Sequence, residues 1–214
     1  MVMREPNRPA YLSAARSAAA LLREPAVTAG WAQPSALPDF TVGGLAGHLA
    51  NQMLSADEVV AGEGVDAPIS IFEHYERVTW RGAEPDAEVN VGIRATGEKL
   101  AVAGAGQLAD RVDDAITAIT ERLAAAPPDR TVHLPWGPWS LSLDDFLVTR
   151  MMEIAVHSDD LALSVGVTTP PLGDEVLDPV FALLTGLAVR QHGAVAVLRA
   201  LSRAERAPRT IAGI

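Results

Sequence analysis

At 214 residues the chain has room for one domain of ordinary size with a sizeable core, and 49% hydrophobic residues exclude a disordered polypeptide. Lys and Arg number 17 against 27 Asp and Glu, and the resulting charge of −10 argues against duplex DNA or an anionic membrane surface as partner. The absence of cysteine excludes disulfides, zinc fingers and a cysteine nucleophile of the protein's own.

The N-terminal stretch "MVMREPNRPAYLSAARSAAALL" breaks its apolar part with Tyr11, Ser13, Arg16 and Ser17, so it lacks the apolar run of a signal peptide. No segment reaches the length of an apolar membrane span, and a soluble cytoplasmic protein is expected. A first helix is predicted over about 9–23, with Asn7 as candidate cap, Pro9 in the first turn, and Leu12, Ala15, Ala19 and Leu22 at helical spacing. "EPAVTAGWAQPSALPDF" reads as a loop by its prolines and Gly30. Thr41 is the expected N-cap of a second helix over about 42–61, whose inward face is Leu45, His48, Leu49, Gln52, Met53, Ala56 and Val60.

Residues 62–97 are rich in Gly, Pro and charge and read as irregular, with a short helix around 71–80. A third long helix is expected over about 98–125, weakened by Gly104 and Gly106 and ended by Pro127 and Pro128. "TVHLPWGPWSL" reads as a small hairpin or an irregular loop turning at Gly137–Pro138. Ser142 with Asp145 makes a capping-box-like start for a fourth helix ending near Gly166. A helix over 174–192, stopped by Gly193, and a last one to about 206 complete the chain. Long helices with almost no strand signal indicate an all-α bundle.

The fourth helix carries "EIAVH". At 100° per residue Arg150, Glu153, His157 and Asp160 fall within roughly 80° of arc, and the rest of the circumference is apolar or small. A helix with so narrow a polar stripe is a buried one. The stripe is either the one wet edge of a central helix or the wall of a polar pocket. His48, inward on the second helix, favours the pocket. The i,i+4 pair Glu153 and His157 presents both side chains to one side of an ion, and a histidine from a facing helix completes an N2O set with an open position, the pattern of catalytic zinc. Arg150 and Asp160 are candidate supporting residues: Arg150 to pair with Glu153, Asp160 to orient His157 or to face a substrate amine. Ordinary i,i+3 ion pairing is the alternative for both. Gln52 and Trp136 are candidates for lining the pocket and contacting a cofactor, with core and hairpin packing as the alternatives. Trp139 belongs with Trp136, whereas His74 and His133 are expected on the surface and His192 at a helix end.

Two segments resemble a known family. "LPDFTVGGLAGHLA" is similar to the phrase that opens a helix ending in a histidine. "WGPWSLSLDDFLVTRMMEIAVHSDDLA" is similar to a Gly-Trp turn leading into an R-x-x-E-x-x-x-H-x-x-D-L helix. Both belong to the N-terminal domain of mycothiol-dependent maleylpyruvate isomerases, a branch of the DinB/YfiT-like metalloenzymes. The resemblance implies a four-helix bundle with a long connection between its second and third helices. It implies a divalent metal, zinc first and nickel second, on His48, Glu153 and His157. It also implies a small thiol such as mycothiol, bound as thiolate at the open position, that attacks an electrophilic carbon for isomerisation or S-transfer.

Asp39–Phe40 stand where the family has Gly-Trp, and the tail reads as two helices rather than a larger second domain. The expected organisation is a DinB-like metal-binding bundle over 1–170 and a helical extension over 171–214. The expected partners are a small electrophile and a small thiol, without nucleic acid or membrane, in a monomer or homodimer. Metal-assisted hydrolysis and a ligand-binding bundle without catalysis are the competing functions.

Overall fold

The structure, a computed structural model, describes residues 7–62 and 67–214. Helix α1 (Arg8–Leu22) buries a face of small residues, Ala10, Ala14, Ala15 and Ala18, around Tyr11. Asn7 sits at its cap position but makes no side-chain capping bond; its amide donates to the Asp144 carbonyl instead, at 3.4 Å. Arg8 ties this end to the carbonyls of Leu123, Ala126 and Pro127 at 2.6–2.9 Å, satisfying acceptors at the end of another helix. The segment expected to be a loop contains a short helix, α2 (Pro25–Gly30), because Pro25 takes the first helical position, where its missing N–H costs nothing.

From Pro34 to Thr41 the chain folds back on itself, with an antiparallel bridge between those two residues. Asp39 turns this corner at φ 62°, in the left-handed region that glycine occupies most readily. The corner delivers Thr41, whose hydroxyl accepts from the Gly44 N–H at 2.8 Å and caps α3 (Val42–Ala61). Ser70 caps α4 (Ile71–Arg77) in the same way.

The third helix departs from expectation. The helical run begins at residue 88 as α5 (Glu88–Ala101) and breaks before α6 (Ala105–Ala125). Gly104 makes the break at φ 85°, a conformation without strain for a residue that has no Cβ. Much of the stretch read as irregular is therefore helical.

Strands β1 (Thr131–His133) and β2 (Ser140–Ser142) pair antiparallel, Val132 opposite Leu141. The hairpin runs directly into α7 (Leu143–Val165), capped by the Ser142 hydroxyl accepting from the Asp145 N–H and closed by Gly166 at φ 71°. Helix α8 (Asp174–His192), helix α9 (Ala194–Ser202) and a 3-10 turn at Ala204–Arg206 follow.

The core bundle is α1, α3, α6 and α7, in which α1 and α3 each pack against both α6 and α7. This is an all-α, DinB-like helical bundle, and the long connection between its second and third helices carries α4 and α5. Helix α5 lies along α3 at close range: a Cβ on Gly47 would run into the Gly97 carbonyl, and one on Gly97 into the Gly44 carbonyl. The Glu98 carboxylate occupies the space beside Gly44 and accepts from the Thr41 N–H at 3.1 Å and its hydroxyl at 2.9 Å. Helix α8 lies against α1, α4 and α7. No helix among the described residues is long and apolar enough to cross a membrane.

Candidate metal centre

The stripe on α7 faces a cavity of about 640 Å³, not bulk water. Arg150, Glu153, His157 and Asp160 form one wall and His48 and Gln52 of α3 another. Helix α4 brings His74 and Tyr75, and the hairpin contributes Trp136 and Trp139. Phe40, delivered by the Asp39 corner, packs its ring on His48 with centroids 5.8 Å apart.

At the floor three ligand-type atoms converge. His48 Nε2 lies 3.1 Å from His157 Nε2, which lies 3.1 Å from Glu153 Oε2, and all three fall within 4.8 Å of one another. A tetrahedral ion with bonds of 2.0–2.1 Å holds its ligand atoms roughly 3.3 Å apart. The donor set and its spacing therefore fit a divalent ion, with two imidazoles and a carboxylate as zinc prefers. Asp160 stands behind the cluster, its Oδ2 3.0 Å from His157 Nδ1, which leaves Nε2 as the atom directed at the other two residues.

The electrostatics of the ion-free cluster follow from crowding. Burial, and then the neighbouring His157 charge, push His48 down to about 4, so it is neutral at pH 7. Burial also opposes charge on His157, but its bonds to Asp160 and Glu153 outweigh it and raise the ring to about 9. On Glu153 burial works upward and loses to the His157 bond and the surrounding positive charges, which draw the carboxyl down to about 2. The cluster stores one proton, on His157, where an ion would sit.

Arg150 does not pair with Glu153. Its Nη1 donates to the Gln52 side-chain oxygen at 2.6 Å and its Nε to Thr149 at 3.1 Å, while the guanidinium lies over the rings of Trp136 and Phe146 at 5.4 and 5.6 Å. It has no carboxylate within salt-bridge range among the described residues. Gln52, only 2% exposed, donates in turn to the His48 carbonyl at 3.1 Å, so it lines the cavity and is also a core amide with both its oxygen and its nitrogen engaged. Trp136 is 45% exposed at the cavity rim, and Trp139 lies deeper.

His74 overturns its expected surface position. It is buried, and its Nδ1 accepts from the Trp139 indole N–H at 3.0 Å. Beside it Tyr75 has a buried hydroxyl without a partner among the described residues, a group that costs about 1–3 kcal/mol when left unsatisfied. Periodicity gave no warning of either residue, because α4 is only two turns long. Phe72, Tyr75 and Trp80 flanking His74 were the available signal of a buried segment. His133 is half-buried on β1, its Nδ1 without a partner among the described residues, and His192 bonds the Ala212 carbonyl at 2.7 Å.

The model of one protein family, the mycothiol maleylpyruvate isomerase N-terminal domain, matches residues 12–162. Neither the curated proteins nor the solved structures give a match. The matched span takes in α3 and α6, most of α1 and α7, and every cavity residue named above.

Proposed function

Because the chain belongs to the mycothiol maleylpyruvate isomerase N-terminal domain family, we propose that it is a divalent-metal-dependent enzyme acting with a small thiol of the mycothiol type on a small electrophile. The observation that carries this reading is the convergence of His48 Nε2, Glu153 Oε2 and His157 Nε2 at the floor of a largely apolar cavity. These three residues would hold the ion, zinc by their donor set, with nickel as the second choice. When bound, such an ion favours the thiolate over the thiol and so supplies a nucleophile at neutral pH.

The remaining roles belong to the chain. Asp160 accepts from His157 Nδ1–H and fixes the ring so that Nε2 faces the ion position. Gln52 and the aromatic faces of Trp136 and Phe146 hold Arg150 at the cavity wall, where the guanidinium edge not engaged by Gln52 or Thr149 is available to an acceptor on a ligand. Trp136, Trp139 and Phe40 keep the reacting atoms away from bulk water, which strengthens every electrostatic interaction inside. Addition of sulfur followed by its departure gives isomerisation, and retention of sulfur gives S-transfer. Residues 171–214 are taken as an extension of the same bundle, supported by the packing of α8 on α1 and α7.

Replacing the ion by Co(II) tests this reading. Mycothiol is expected to produce a near-ultraviolet cobalt–thiolate band, and an oxygen analogue lacking sulfur is not. No band at saturating thiol, with cobalt demonstrably bound, removes thiol activation and leaves hydrolysis or plain ligand binding.

A further inference from the structure

The cavity wall contains a third histidine, one that the metal cluster does not use. His74 comes from α4, in the long connection, and its hydrogen bond determines its chemistry. An indole N–H can only donate, so the Trp139 bond at 3.0 Å requires His74 Nδ1 to be an unprotonated acceptor. The ring proton then resides on Nε2, and Nε2 has no partner among the described residues. Burial and the nearby Arg150 charge hold the ring down to about 4, so it stays neutral. The cavity is thus given a fixed, uncharged N–H donor, in a site where donors are stronger than in water.

Building on the thiol-addition reading above, we propose that His74 is a catalytic residue whose Nε2–H donates to the carbonyl oxygen of an α,β-unsaturated carbonyl substrate. The sulfur lone pair forms the C–S bond at the β-carbon, the C=C pair moves to join the α-carbon and carbonyl carbon, and the C=O pair ends on oxygen. The charge develops where His74 donates, and the proton stays on Nε2. Return of the pairs expels sulfur and regenerates the double bond after rotation, whereas protonation of the α-carbon by water leaves the thioether. A histidine held neutral by its surroundings suits this step, since its remaining N–H can polarise a carbonyl without giving up the proton.

The test uses the zinc-loaded full chain with mycothiol and two electrophiles. Sulfur adds to 2-cyclohexen-1-one with charge developing on oxygen; it displaces bromide from benzyl bromide with no oxyanion formed. His74→Leu is expected to lose roughly 10²-fold in kcat on the enone, the usual effect of removing one oxyanion donor, and to keep its rate on benzyl bromide. His74→Gln, whose amide can donate, should recover most of the enone rate. Independently of turnover, ¹⁵N NMR of the His74 ring should show the Nε2–H tautomer, and Trp139→Phe should release that preference. Equal losses on both electrophiles, no loss on either, or an Nδ1–H tautomer in the parent each overturn the role. A parent inert toward both electrophiles with every thiol tried overturns the functional reading itself, and this inference with it.

Discussion

His48 and His157 lie 109 positions apart in the chain, yet their Nε2 atoms meet at 3.1 Å. Two imidazole nitrogens at that distance cannot both carry protons, so one ring must be an acceptor. Burial makes it His48. A divalent ion satisfies both lone pairs at once, which a single shared proton cannot do as symmetrically.

Removal of either histidine should therefore empty the site. Protein purified with zinc should contain about one ion per chain, and His48→Ala or His157→Ala should lose most of it by elemental analysis. Full occupancy in both variants would remove these residues as ligands.

Asp160→Asn tests the support behind His157. The amide can still hydrogen-bond Nδ1 but no longer favours a proton there, so ring orientation and basicity both weaken. Zinc affinity, measured by chelator competition, should fall roughly 10–100-fold while the fold is kept. Unchanged affinity would make Asp160 an ordinary ion-pair partner.

The histidines also set a pH signature. In the ion-free protein His157 is raised from 6.5 to about 9, so its contribution to stability is complete below 6.5 and lost as pH rises through about 9. His48 is lowered to about 4, so its contribution is present above 6.5 and lost as pH falls through about 4. Ion-free stability should consequently be greatest near pH 6.5. Zinc must displace the His157 proton, so its affinity should rise from pH 6.5 to about 9 with release of about one proton per ion. Calorimetric Tm with and without chelator should show the gap widening over that window. A constant gap would mean that His157 is not the proton being displaced.

Gly97→Ala addresses the α3–α5 contact. The new methyl meets the Gly44 carbonyl, part of a helix backbone that cannot move aside alone. Overpacking of this kind costs about 1–3 kcal/mol, and it should also displace α5, which lends Val89 and Ile93 to the cavity. Chemical denaturation measures the loss. Gly92→Ala on the same helix, where a Cβ meets nothing within 4 Å, should be neutral or slightly stabilising.

Periodicity and capping were sufficient to place α3 and α7, with Thr41 and Ser142 as their caps and His48, Glu153 and His157 on inward faces. These signals are local, since a helix repeats its faces every few residues. The break at Gly104 was written in the sequence only as a cost. Gly104 could as well have sat inside one long helix, and packing of α5 on the glycines of α3 decided against it. Asp39 in a left-handed conformation, Arg150 turned to Gln52 rather than Glu153, and His74 locked by Trp139 are likewise tertiary decisions. Each depends on a partner at least 65 residues away or on a corner held by the rest of the fold. The sequence determined which faces are buried and which side chains offer lone pairs. Only the assembled bundle decided which of them meet, because hydrogen bonds act over about 3 Å and ligand bonds over about 2 Å, and nothing in chain order encodes that proximity.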